Sequence, residues 1–273
     1  MLTQAEFLSS PIRQKKIKKI LADKTTKKFF CPKDLFLFVD YLNVMKGKLF
    51  LVSTPIGNWN DITLRGLKIL GDVDFIICEE FKEARRLLAE YKIEKELLSL
   101  NEHNEKEAAN EILFKILEGK SAALISDCGT PLFSDPGHLL AELCISQNIQ
   151  VIPIPGANSL LPALTASGLD FEKFYYFGWL SPKKDERRLQ LLKLKNIHEV
   201  IIILDTPYRL KSLLADVVKI LGKNIRCVLA FQLTMIDEKF YRGTAEEILA
   251  DAEKMNLKGE FVLLIDNKRH SSF

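Results

Sequence analysis

From Leu49 onward the chain alternates short apolar runs with helix-period segments, and this alternation constrains its fold more than any other feature. Residues 49–53, 74–78, 121–126 and 150–153 read as buried strands, and residues 62–70, 83–91, 106–117 and 137–145 carry the helical spacing. Strand and helix in strict alternation imply a parallel sheet covered on both faces. Three of the connections are rich in glycine and proline: Ser53-Thr54-Pro55-Ile56-Gly57-Asn58, Ser126-Asp127-Cys128-Gly129-Thr130-Pro131 with Asp135-Pro136-Gly137, and Pro153-Ile154-Pro155-Gly156-Ala157-Asn158-Ser159. Each follows a strand and precedes a helix, so all are expected at the carboxyl edge of one sheet, where open α/β folds bind ligands.

A helix over about 157–167 closes this half, and Ser167-Gly168-Leu169-Asp170 is the expected boundary. The second half carries strand patterns at 174–178, 200–204, 226–231, 239–242 and 260–266, with helices near 185–194, 208–221 and 245–253, which reads as a mixed α/β domain. The expected organisation is therefore a segment 1–44, a domain 45–168 and a domain 169–273. The first segment stands apart in charge: nine Lys/Arg face four Asp/Glu there, whereas the other 229 residues hold 30 against 32. Such a basic arm can attract phosphates in a salt-sensitive, sequence-independent way. Equally, Met45-Lys46-Gly47-Lys48 would make an ordinary chain start before the first strand.

Several classes are excluded. The longest apolar run, Leu35 to Val44, is too short to span a bilayer and contains Asp40. Lys15, Lys16, Lys18 and Lys19 lead into no adequate apolar core, so no secretory signal is read and a cytoplasmic location is expected. The five cysteines (Cys31, Cys78, Cys128, Cys144, Cys227) show no C-x-x-C spacing and read as small buried hydrophobes, and the four histidines have no metal-ligand spacing, so no metal is expected. No two of the 13 glycines are spaced G-x-G, and no G-x-x-x-x-G-K-[ST] occurs, which removes the dinucleotide fingerprint and the P-loop.

The proline-bracketed turns remain as the ligand-binding equipment. Gly57, Gly129, Gly137 and Gly156 allow close backbone approach, Pro55, Pro131, Pro136 and Pro155 fix loop geometry, and Asp127, Thr130, Asp135 and Ser159 supply polar groups.

Thr54-Pro55-Ile56-Gly57-Asn58 with Asp61-Ile62-Thr63-Leu64-Arg65, then residues 100–105 (LNEHNE), Ser126 to Pro131 with Asp135-Pro136-Gly137, and Lys258-Gly259-Glu260 resemble the tetrapyrrole methylase family over residues 48–266. Within it, the motifs are most similar to those of bacterial enzymes that methylate the ribose 2′-oxygen of a cytidine in small-subunit ribosomal RNA. The resemblance implies two α/β domains with S-adenosylmethionine in the cleft between them, and a homodimer. It implies cofactor contacts from Pro55, Gly57, Asp127, Gly129, Thr130, Pro131, Asp135, Pro136, Gly137, Pro155, Gly156 and Ser159. The chain departs from the family pattern in three places. Glu79-Glu80-Phe81-Lys82 stands for Glu-Asp-Thr-Arg, Asp205-Thr206-Pro207-Tyr208-Arg209 for Glu-Ser-Pro-His-Arg, and Phe231-Gln232-Leu233-Thr234-Met235 for Arg-Glu-Leu-Thr-Lys.

A ribose hydroxyl is a weak nucleophile at neutral pH, so a base or a cation near the oxygen helps. Glu79, just past the second strand, is the candidate base. Lys258 and Arg209 match family positions and are candidates for holding a phosphate or polarising the hydroxyl. Lys82, Arg85 and Arg86 on one helix, and Lys183, Lys184, Arg187 and Arg188 on another, could follow an RNA backbone or simply be solvated faces. Asn104 is expected to cap a helix with Glu107 in a capping box, leaving His103 at the rim. Of the run Phe174, Tyr175, Tyr176, Phe177 and Trp179, only Trp179 is expected to be exposed. The first functional expectation is methylation of ribosomal RNA. A tetrapyrrole or other small acceptor, and a non-catalytic cofactor- or RNA-binding relative, are the alternatives.

Overall fold

The computed structural model of the chain describes residues 46–268, so the basic segment 1–44 and Cys31 lie outside the described residues. Two five-stranded sheets organise the rest. The first is parallel throughout and ordered β3-β2-β4-β1-β5, from β1 (Leu49–Val52), β2 (Phe75–Cys78), β3 (Glu96–Ser99), β4 (Ala122–Ile125) and β5 (Val151–Ile154). Its crossovers are α1 (Leu64–Asp72), α2 (Phe81–Glu90), α3 (Glu105–Leu117) and α4 (His138–Ser146). Central strands β2 and β4 are buried at every residue, as a sheet covered on both faces requires. Pro153, which lacks an N–H, is accommodated because β5 lies at the edge and pairs only with β1. The β3 run Glu-Leu-Leu-Ser, as long as the other strands of this sheet but without β-branched residues, sits at the opposite edge and is only partly buried.

The second sheet is mixed, ordered β6-β7-β10-β8-β9, from β6 (Phe174–Trp179), β7 (Val200–Asp205), β8 (Arg226–Phe231), β9 (Lys239–Thr244) and β10 (Phe261–Asp266). Only β6 and β7 run parallel, and the other pairs are antiparallel. The period-2 rule assigns the two faces. Ile201, Ile203, Leu229, Leu263 and Ile265 pack beneath α6 (Lys184–Leu194), α7 (Leu210–Leu221) and α8 (Ala245–Lys254). Val200, Ile202, Val228, Val262 and Leu264 cover Ala163 and Leu164 of the short α5 (Leu160–Thr165). Thr244 starts α8 with a full capping box, its hydroxyl accepting from the Glu247 N–H and the Glu247 carboxylate accepting from the Thr244 N–H.

The described residues form two compact units that are not consecutive stretches. Unit 1 takes residues up to Val52, Leu67–Asp127 and Pro131–Ile154, and unit 2 takes Ser53–Gly66, Cys128–Thr130 and the chain from Pro155 on. The sequence boundary at Ser167-Gly168-Leu169-Asp170 thus falls inside unit 2, because α5 buries its apolar side against the mixed sheet.

Three local expectations are corrected. Asn104 occupies the N-cap position of α3 but makes no capping bond: its Oδ1 accepts from the Asn101 N–H at 2.8 Å and its Nδ2 donates to the Ser99 carbonyl at 3.3 Å. The aromatic run is an edge strand with a bulge between Tyr176 and Gly178, so Phe174 and Tyr175 are exposed along with Trp179. Cys78, Cys144 and Cys227 are buried, which pushes their thiols up to about 11, about 11 and about 12, whereas Cys128 is exposed.

Candidate active site

Three glycine-bearing turns meet within unit 2. Thr54 and Gly129 exchange main-chain hydrogen bonds, the Thr54 N–H donating to Gly129 O at 2.9 Å and the Gly129 N–H to Thr54 O at 3.1 Å. The Ser53 and Thr130 hydroxyls lie 3.2 Å apart, and Thr130 Oγ1 donates to Ala157 O at 3.4 Å. Two glycines make this convergence sterically possible. Gly129 has φ +85°, and a Cβ on Gly156 would stand 2.9 Å from Ser53 Cβ. Pro55 is buried beneath the cluster. No hydrogen bond among the described residues uses the main-chain N–H of Thr130, Gly156 or Ala157. Ser159 sits at the N-cap of α5 and makes no capping bond with its side chain.

The first turn rests on the segment 231–235. The Asn58 N–H donates to Thr234 Oγ1 at 3.1 Å, and a Cβ on Gly57 would approach Thr234 Oγ1 and Met235 Cγ to 2.7 Å. Gln232 and Thr234 hold positive φ, +49° and +67°, which is uncommon for such residues. Gly259 packs on the same segment, since a Cβ there would meet Gln232 Nε2 at 2.6 Å and Phe231 Cζ at 2.7 Å. The Gln232 N–H also donates to Glu260 O at 2.8 Å. A segment noted in the sequence for its departures at Phe231, Gln232 and Met235 therefore carries two of the motif turns, with Thr234, which matches the family pattern, holding the first.

The candidate cations of unit 2 differ in availability. Lys258 is exposed in the turn before β10. Arg209 donates from Nε to Asp205 Oδ1, a fully buried carboxylate at the end of β7 whose other oxygen has no hydrogen-bond partner. Arg187 is itself buried and donates from Nε and Nη2 to Asp216 Oδ2, at 2.9 and 2.7 Å, while Arg188 Nε donates to Asp216 Oδ1 at 2.7 Å. Those two arginines tie α6 to α7 and do not form a free basic face, and Lys183 is paired with Glu186.

Unit 1 places an acidic group at the carboxyl ends of β2 and β4. Glu79 follows β2, and Glu80 is the N-cap of α2, its N–H donating to Asp127 Oδ1 at 3.4 Å. Burial raises the Glu79 carboxyl above its usual range, and the charges of Asp127, Asp135, Glu102 and Glu80 push the same way. Burial likewise raises Asp127, against the Glu80 N–H bond that lowers it. Pro131 is buried, and Asp135-Pro136-Gly137 leads into α4 with Gly137 at φ +118°. Glu105 secures that turn: its Oε1 accepts from the Gly137 N–H at 2.9 Å and the Leu139 N–H at 3.3 Å. The sequence showed Glu105 only as part of a motif. His103 is exposed and donates its N–H to Asn101 Oδ1. Among the described residues, no group of three or more His, Cys, Asp or Glu is arranged to hold a metal ion.

Residues 48–249 match the model of a family described as Tetrapyrrole (Corrin/Porphyrin) Methylases. The chain belongs to the tetrapyrrole methylase family. Curated relatives named "Ribosomal RNA small subunit methyltransferase I" include one from Thermotoga maritima, 40% identical over 222 residues that make up 81% of this chain and 99% of that protein. Another from Halalkalibacterium halodurans is 40% identical over 81% of this chain and 76% of its own length. The Bacillus subtilis relative is 37% identical over 82% of this chain and 76% of that protein. Among solved structures, a uroporphyrin-III C-methyltransferase from Thermus thermophilus complexed with S-adenosylhomocysteine aligns over 80% of this chain and 97% of its own, with TM-score 0.57 and 16% identity. A cobalt precorrin-4 methyltransferase of cobalamin biosynthesis aligns over 80% and 94%, with TM-score 0.59 and 19% identity. At those identities the solved structures establish the shared fold of the family, two α/β units with a parallel and a mixed sheet.

Proposed function

We propose that the protein transfers the methyl group of S-adenosylmethionine to small-subunit ribosomal RNA, at the 2′-oxygen of a cytidine ribose. The observation that carries this reading is the 40% identity, over four-fifths of the chain, to relatives named for that RNA. A tetrapyrrole acceptor has weaker support, because the solved uroporphyrin-III and cobalt precorrin-4 methyltransferases of the same fold share only 16–19% identity.

The chain's residues suit this cofactor. Main-chain donors at Thr130, Gly156 and Ala157 are available to a nucleoside and a carboxylate, and Pro55, Gly57, Gly129, Pro155 and Ser159 shape the turns that carry them. In unit 1, Asp127, Pro131, Asp135, Pro136 and Gly137 are the remaining cofactor candidates. The mutual repulsion of Glu79, Glu80, Asp127 and Asp135 favours a cationic ligand beside them. When bound, S-adenosylmethionine supplies an electrophilic methyl carbon on a sulfonium centre.

Glu79 is the proposed base. Its carboxylate would take the 2′-hydroxyl proton, and the cofactor, when bound, would supply the methyl group to that oxygen and leave as the neutral thioether. A carboxyl raised toward neutrality is better matched to that proton than an ordinary one. Lys258, which is exposed, is the candidate for holding a phosphate or polarising the hydroxyl, and Arg209, already committed to Asp205, is the candidate for orienting the end of β7. The segment 1–44 adds salt-sensitive attraction to RNA, and the active form is a homodimer in the cytoplasm.

Methyl transfer from labelled S-adenosylmethionine to small-subunit particles, naked ribosomal RNA and a uroporphyrinogen tests the acceptor, and mass mapping of ribose methylation locates it. Label in the RNA ribose supports the reading, and label only in the macrocycle overturns it. Removal of residues 1–44 should flatten the salt dependence of RNA binding.

A further inference from the structure

Two hollows in unit 1 share one wall. The larger, about 610 Å³, is bordered by Glu79, Glu80, Lys82, Ser99 and Asn101. Its neighbour, about 470 Å³, is bordered mainly by the apolar Leu88, Ala89, Ile93 and Leu97, with Glu94 and Lys95 as its charged members besides Arg85. Phe81 and Arg85 border both. They stand one turn apart at the start of α2, Phe81 is 38% exposed, and the Arg85 guanidinium carbon lies 5.6 Å from the ring centroid.

This pairing of surfaces has a chemical counterpart. An unstacked nucleobase presents a π-face, which an aromatic ring or a guanidinium plane can cover, and a polar edge, which needs fixed donors and acceptors. Here the π-surface is Phe81 with Arg85, and the polar edge lies in the larger hollow. Glu80 makes no side-chain hydrogen bond and no ion pair among the described residues, so its carboxylate is an available acceptor. A carboxylate pairs with the exocyclic amino group of cytosine, and it repels the carbonyl that uracil presents at that position. Lys82, Arg85 and Lys95 provide cations for flanking phosphates. A polycarboxylate macrocycle would meet Glu79 and Glu80 instead.

We propose that the Phe81–Arg85 wall is a stacking platform for one unstacked base of the ribosomal RNA substrate, and that Glu80 selects cytosine there through its amino group. The proposal rests on the reading of the protein as a ribosomal RNA methyltransferase and adds a subsite to it. Stacking on one aromatic residue corresponds to about a tenfold or larger effect on RNA affinity.

The test uses the full chain, labelled transfer to small-subunit particles, and anisotropy with a short single-stranded oligoribonucleotide holding either cytidine or uridine at one position. Phe81→Leu, which keeps apolar bulk, should weaken oligonucleotide binding about tenfold and raise KM for particles more than it lowers kcat, whereas Phe81→Tyr should restore both. Glu80→Gln should erase the preference for cytidine over uridine. If Phe81→Leu fails to fold, the wild-type chain decides: an oligonucleotide carrying 5-iodocytidine should photo-crosslink within the peptide that contains Phe81 and Arg85, and crosslinks confined to other peptides overturn the subsite. Wild-type transfer to RNA with unaltered Phe81→Leu behaviour sinks this proposal alone, while absence of any wild-type transfer to RNA sinks the reading beneath it.

Discussion

The two units use charge in opposite ways. In unit 2 two buried carboxylates are met by arginines: Asp216, within α7, accepts from Arg187 and Arg188, and Asp205, at the end of β7, accepts from Arg209. In unit 1, Glu79, Glu80 and Asp127 crowd the ends of β2 and β4, and no ion pair joins any of them to a cation among the described residues. Matching lowers Asp216 despite the opposing effect of burial, whereas burial, with the neighbouring carboxylates adding to it, raises Glu79 and Asp127. Paired charge locates where the fold is locked. Unrelieved like charge locates where a ligand or a proton has work to do.

The comparison is broken most directly at its strongest lock. Asp216→Ala leaves Arg187 buried without its partner, and the expected loss is about 3–5 kcal/mol of folding stability, read by denaturant melts. Because the folded Asp216 carboxyl is held below its unfolded value, its contribution is complete above the unfolded pKa and disappears as pH falls through the folded one. An unchanged melt at neutral pH would show that the paired charges do not hold α6 to α7. Unit 1 should answer differently. Glu79→Gln is expected to lower kcat about a hundredfold while leaving S-adenosylmethionine affinity, measured by calorimetry, within a few-fold. Equal losses in both would remove Glu79 as the base. With a raised carboxyl, wild-type kcat should climb with pH along a limb lying above the ordinary glutamate range. The stability sign is also reversed: a raised Glu79 favours the native state below its unfolded pKa, and that benefit is lost as pH rises through the folded value.

The contrast also separates what the sequence made legible from what it did not. Strand and helix periodicity gave both sheets, and the glycine and proline turns pointed to Thr54, Gly129 and Gly156, which do meet. Periodicity is local, however, and carries no information on which distant charge a residue faces. Arg187 and Arg188 therefore read like Lys82 and Arg85, although the first pair is committed to Asp216 and the second stays exposed. For the same reason Glu105 showed only as a motif residue when it holds the Gly137 turn, and Gln232 showed only as a departure from the family pattern when its left-handed backbone, with that of Thr234, carries two motif turns. The interleaving of the units at 53–66 and 128–130 was also invisible, since it depends on which core each turn joins.

A smaller effect is expected where the backbone rather than charge sets the geometry. Gly129→Ala places a side chain at φ +85°, at a cost of about 1–2 kcal/mol, and the cofactor affinity should fall with stability because the Thr54–Gly129 exchange is shared by both. A melt shifted without any change in S-adenosylmethionine binding would separate the turn from the ligand.

The smallest effect sharpens the comparison by standing outside it. Thr244→Ala removes the hydroxyl that accepts from the Glu247 N–H at the start of α8, on a helix that carries none of the proposed site residues. The expected cost is about 1 kcal/mol in stability, with kcat and KM for methyl transfer unchanged under conditions where the protein stays folded. Glu247 also loses the hydroxyl bond that, after the Thr244 N–H bond, holds its carboxyl below the usual range, so its titration should move back upward. A stability loss of this size that also altered turnover would mean that packing in unit 2 is transmitted to the chemistry. The locked charges of unit 2 would then be part of the catalytic machinery and not merely its frame.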